Sequence, residues 1–139
     1  MIGRTFGLTV ALVVAASAAQ AGTVKVVVHD VASGKGDVMV ALCDEATFLK
    51  QCTRLGTKPA ARGTVEVDIK DVPAGRYAVM SFHDENGDKQ MNRSKLGVPT
   101  EGAGFSRDAM GNQGPPKFAD AAVAVGKGDT VVDINLTYY

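Results

Sequence analysis

Neither sign of charge is in excess: 15 Lys and Arg stand against 15 Asp and Glu in 139 residues, which leaves no electrostatic case for nucleic acid or an anionic membrane surface as partner. Histidine and cysteine are scarce, two of each. No His-x-His pair, no Cys-x-x-Cys and no Gly-x-Ser-x-Gly occurs, so the usual signatures of soft-metal, redox and α/β-hydrolase sites are missing. Long apolar runs are missing too. The longest, 6–16, is interrupted by Gly7 and Thr9 and falls short of the roughly 20 residues that a spanning helix takes.

That run has a different use. Arg4 precedes it, and Ala19-Gln20-Ala21 follows with the small-x-small spacing that signal peptidase cuts. Residues 1–21 are therefore expected to be a removable signal, with no lipobox cysteine after them and Gly22 as the first mature residue. Removing 21 of 139 residues leaves 118, one ordinary domain over 22–139. One basic residue leaves with the signal, so the mature part carries 14 bases against 15 acids, a charge of −1. In an exported chain the pair Cys43 and Cys52 reads as a disulfide. Its loop is short and stabilises by about 2–3 kcal/mol in the loop-entropy picture, pinning a local excursion.

Period-two alternation recurs between turn signals across the mature part. Val24, Val26 and Val28 share one face of 23–30; Val38, Val40 and Leu42 share one face of 37–43; Val65, Val67 and Ile69 share one face of 64–70. Residues 76–83 are nearly continuously apolar and aromatic, as in a strand covered on both faces. Two more strands, 118–125 and 130–139, flank Gly126-Lys127-Gly128-Asp129. Only 45–51 looks helical. The expected fold is all-β, an antiparallel Greek-key sandwich of six to seven strands with immunoglobulin-like general shape. Residues 84–117 stand outside this pattern, 34 positions without periodicity that hold six of the 16 glycines and three of the five prolines. Loops beyond about 12–15 residues are uncommon in compact domains and tend to carry function.

The loop opens His83-Asp84-Glu85-Asn86-Gly87-Asp88-Lys89-Gln90-Met91-Asn92 and continues through Gly97-Val98-Pro99-Thr100-Glu101-Gly102-Ala103-Gly104-Phe105-Ser106. With Pro73-Ala74-Gly75-Arg76-Tyr77 before it, the chain resembles the bacterial exported family of domain of unknown function 2141 (DUF2141). The resemblance covers essentially the whole mature part. It implies an exported sandwich of transthyretin-like or carboxypeptidase-regulatory-like type without an established activity. Transthyretin-like sandwiches include hydroxyisourate hydrolases, which end in Tyr-Arg-Gly-Ser. This chain ends in Leu136-Thr137-Tyr138-Tyr139, which argues against that activity.

Oxygen donors at alternate positions, Asp84, Asn86 and Asp88, resemble the first, third and fifth ligands of a calcium loop. Gln90 could add a main-chain carbonyl and Asn92 a side-chain oxygen or a bridging water. An EF-hand loop has glycine sixth and a bidentate acid twelfth; here Lys89 and Lys95 stand there. The resemblance implies an acid where Asn92 stands. Glu101 supplies the missing carboxylate only if the loop folds back. The competing reading is an Asn-Gly turn whose carboxylates cap local N–H groups. Glu101, Gly104, Phe105 and Ser106 are candidates for a ligand loop, with Phe105 expected to plug the end of the sandwich.

Other constellations carry less. His29 and His83 with Met39, Met80, Met91 and Met110 lack the spacing of a copper site. Ser81 or Ser106 with His83 and Asp84 lacks a nucleophile elbow. Asn92-Arg93-Ser94 and Asn135-Leu136-Thr137 match the glycosylation pattern, which a bacterial-looking export does not use. The leading expectation is a non-catalytic periplasmic or secreted module without a membrane span. It would bind an unidentified ligand or envelope protein at its loop end, with calcium as the one cofactor. Two alternatives stand beside it: a small hydrolase or isomerase using His83, Asp84 and Glu101, and a structural envelope component that pairs through a sheet edge.

Overall fold

The computed structural model describes residues 3, 7, 10–12, 21–110 and 114–139. The expected signal falls mostly outside them. Alternating valines and isoleucines turn one face of several strands inward, and two sheets meet over that face. The first sheet has β4 (Gly63–Val72), β1 (Gly22–Val31) and β8 (Thr130–Asn135), in that order. In the second, β3 (Arg54–Pro59), β2 (Asp37–Cys43), β5 (Gly75–Asp84) and β6 (Ala103–Phe105) are neighbours, and β7 (Ala122–Val125) also pairs with β5. The core between them contains the expected Val24, Val26, Val28, Val38, Val40, Leu42, Val65, Val67 and Ile69, together with Val132 and Ile134 of β8.

A smaller cluster covers the outer face of the second sheet. Cys43, Ala78, Ala109 and Ala121 are buried there with Phe48. The Phe48 ring meets Phe105 and Phe118 edge-on at 6.2 and 5.9 Å. Thus β5 is covered on both faces, as its continuous apolar character demands, while Phe105 packs on the sheet's outside and does not plug the sandwich end. The Cys43–Cys52 disulfide, with Cα atoms 5.0 Å apart, fastens the Phe48 segment to β2.

Four expectations are corrected. Among the described residues there are eight strands, because Arg54–Pro59 and Ala103–Phe105 add to the count. Residues 118–125 divide into a single helical turn, α1 (Phe118–Ala121), and β7. Residues 45–51 form turns: Asp44 accepts from the Thr47 N–H at 2.9 Å, and Leu49 is left-handed at φ 60°. So short a helix has no nucleus to sustain it against such local bonding. Finally, the sheets are not wholly antiparallel, since β8 runs parallel to β1. The chain spends β2 and β3 on the second sheet, returns for β4, crosses again, and comes back in the direction of its first strand. The Ala103 and Thr137 N–H and C=O groups bond reciprocally at 3.0 and 2.9 Å, lacing the sheets together beside the long loop.

Candidate functional site

The loop leaves β5 at Asp84 and returns to the sheet at β6. Local polar groups shape its first turn. Asp84 Oδ2 accepts from the Lys89 N–H at 2.8 Å, Asn86 Oδ1 from the Asp88 N–H at 3.2 Å, and Asp88 Oδ1 from the Gln90 N–H at 2.9 Å. Carboxylates therefore do cap local backbone here, but this uses only part of their capacity. Lys89, at the position where a calcium loop has glycine, adopts φ 60°, so the backbone takes the left-handed turn without the glycine at a cost of about 1–2 kcal/mol.

The loop also folds back. Glu101 is buried and grips both sides of the turn: Oε2 accepts from the Glu85 N–H at 2.8 Å and Oε1 from the Asn92 N–H at 3.2 Å. The Thr100 N–H donates to the Asn92 carbonyl at 2.9 Å, closing the same neck. The tether requires Gly102, because a Cβ there would lie 2.5 Å from the Tyr138 ring. As a result Asp84, Asp88 and Glu101 each bring a carboxylate oxygen within 4.8 Å of the others. Oxygens bound to one ion at about 2.4 Å can be no farther apart than about 4.8 Å.

Among the described residues none of these three acids has a salt-bridge partner. Asp84 is fully buried, and its Oδ1 has no hydrogen-bond donor. A buried carboxylate oxygen without a partner is costly, and two more carboxylates beside it raise that cost. The Asp88 carboxyl is held below its ordinary 3.8, chiefly by the Gln90 N–H and next by the Asn92 amide, so it stays ionised. The Asn92 and Asn86 amides reach Asp88 Oδ2 at 2.8 and 3.4 Å. A half-turn of either amide would present oxygen instead of nitrogen. Gln90 enters this bonding through its N–H. An all-oxygen donor set suits a hard cation such as calcium and is poor for copper or zinc.

The remaining candidates are placed elsewhere. His83 is buried, with Nε2 2.6 Å from the Lys35 carbonyl and Nδ1 2.9 Å from the Tyr138 hydroxyl. The Tyr138 oxygen in turn accepts from the Ala32 N–H, which ties the ring to the 32–35 turn at both nitrogens. As successive residues of β5, His83 and Asp84 leave opposite faces, and the three groups named for a hydrolase do not share a hydrogen bond. Ser81 donates to the Met39 carbonyl, and Ser106 bridges the Val79 N–H and the Ala121 carbonyl. His29 meets Asp133 at 2.8 Å. Gly104 and Phe105 line a cavity of about 650 Å³ between the loop and the end of β8. Arg93 on its wall escaped the sequence reading, because nothing local marks a basic residue as facing a cavity.

Fold and loop together define a small β-sandwich with an acidic, folded-back loop at one rim. The chain belongs to the family described as "Uncharacterized protein conserved in bacteria (DUF2141)", whose model matches residues 26–133, from within β1 to within β8 and including the whole loop. No curated protein and no solved structure matches the chain.

Proposed function

We propose that the protein is an exported, non-catalytic β-sandwich binding module whose loop 84–101 is ordered by a calcium ion. The observation that carries the metal is the buried Asp84, whose Oδ1 has no partner and whose carboxylate lies in a cluster with those of Asp88 and Glu101. Those three carboxylates would hold the ion, with the Asn92 and Asn86 amide oxygens and water completing six to eight ligands. Bound there, the divalent cation would offset two of the three negative charges and fix the neck of the loop through Glu101. Residues 1–21, with their cleavable pattern, and the Cys43–Cys52 disulfide support export to the periplasm or medium.

The test is calorimetric titration of calcium into the mature chain, with Asp84→Asn and Glu101→Gln as controls. Saturable binding in the parent, lost in both variants, is the expected result. Absence of heat and of any melting shift at millimolar calcium removes the metal from this account.

A further inference from the structure

The cavity beside the loop is built differently from the acid cluster. Its volume of about 650 Å³ lies within the range of small-molecule sites, about 300–1,000 Å³. Met91, Leu96, Val98, Phe105, Met110 and Pro115 give it mostly apolar walls. Several of these keep large apolar surface in water: Leu96 is 91 % exposed and Met110 69 %. Apolar side chains gathered around one concavity are a mark of a ligand site, whereas single exposed ones need no explanation.

Among the described residues, the charged side chains that line the cavity are Arg93 and Asp108, and their situations differ. Asp108 accepts from the Asn135 amide at both oxygens, each 3.0 Å away. Arg93 spans the base of its hairpin, donating from Nη1 to the Gly97 carbonyl at 3.1 Å and from Nη2 to the Met91 thioether at 3.3 Å. A thioether is a weak acceptor, a guanidinium has five N–H groups, and among the described residues Arg93 has no carboxylate partner. The cavity thus presents an oriented cation against apolar walls.

We infer that this cavity binds a small apolar molecule bearing a carboxylate, with the carboxylate on Arg93 and the apolar body against Leu96, Val98, Phe105 and Met110. An apolar body supplies affinity in proportion to the surface it buries. The guanidinium supplies orientation and discrimination, because its planar fork matches a carboxylate. Ligand binding in this cavity needs no metal, and calcium binding at the acid cluster is read separately by calorimetry, so either can be absent while the other is present.

The experiment titrates a matched series, 4-phenylbutyrate, 4-phenylbutanol and 4-phenylbutylamine, into isotopically labelled purified protein and follows the backbone amide resonances. Saturable shifts centred on Leu96, Val98, Phe105 and Met110 are expected, with the carboxylate bound about tenfold more tightly than the alcohol and the amine weakest. In Arg93→Gln, an exposed substitution, the carboxylate should fall to the affinity of the alcohol while the alcohol is unchanged. Leu96→Asp should weaken both. Equal affinity across the three charges, a preference that survives Arg93→Gln, or no shift at those amides would overturn the inference.

Discussion

Replacing Asp84 by asparagine should move stability in opposite directions with and without calcium. Asp84 and Glu101 are both buried, with oxygens within 4.8 Å; at an effective dielectric near 20 their repulsion is about 3.5 kcal/mol. Asp88 is exposed, and screening by water and salt makes its share smaller. Asparagine keeps an oxygen for the Lys89 N–H and removes the charge, but its amide nitrogen takes up part of the gain. The metal-free variant should therefore be about 1–3 kcal/mol more stable than the parent, several degrees in melting temperature for a domain this size. With calcium at about 100 times its dissociation constant the parent gains about 2.7 kcal/mol, and the variant gains little. Differential scanning calorimetry in chelator and in calcium reads all four values. A variant equally destabilised in both buffers would show that Asp84 is only a backbone cap, and the metal argument would fail.

The pH dependence of calcium binding follows from Asp88, whose carboxyl lies below 3.8 because it accepts from the Gln90 N–H and the Asn92 amide. A depressed value means stabilisation that is present above about 3.8 and lost as pH falls through the folded value, so calcium affinity traced by titration should hold down to about 3.8 and fall only below it, as the Asp88 carboxyl takes up a proton. Lys89→Gly relieves a left-handed φ of 60° and should raise stability in chemical denaturation by about 0.5–1 kcal/mol, since glycine's greater unfolded-state freedom takes back part of the relief. Gly102→Ala sets a Cβ against the Tyr138 ring at 2.5 Å and should cost about 1–3 kcal/mol, with the loss largest in the loop amides by hydrogen exchange. Intact-mass measurement of the protein recovered outside the cytoplasm should give a chain beginning at Gly22; an N-terminus retaining residues 1–21 would contradict the export reading.

The sandwich was legible because burial in a sheet repeats every second residue, and β1, β2, β4 and β8 write that period plainly. Strand β3 was not legible: Arg54–Pro59 lies at an edge with most residues exposed, so water imposes no alternation on it. Strand β6 has three residues, and its signal was Gly104, where a Cβ would meet the Asn135 carbonyl at 2.5 Å. A glycine among other glycines does not announce that it lies beneath another backbone. The mixed direction of the first sheet was equally hidden, because alternation is the same for a strand run either way.

Local spacing alone brought Asp84, Asn86 and Asp88 into one turn, since their separations lie within the reach of a few residues and need no distant partner. That Glu101 joins them is a tertiary event. Its carboxylate arrives across 17 positions because Gly102 fits against Tyr138 and because Ala103 bonds to Thr137. The same closure set Arg93 on a cavity wall and left Asp84 Oδ1 buried without a donor. Spacing along a chain specifies which groups can meet within one turn; desolvation and contact between distant segments depend on how the two sheets close.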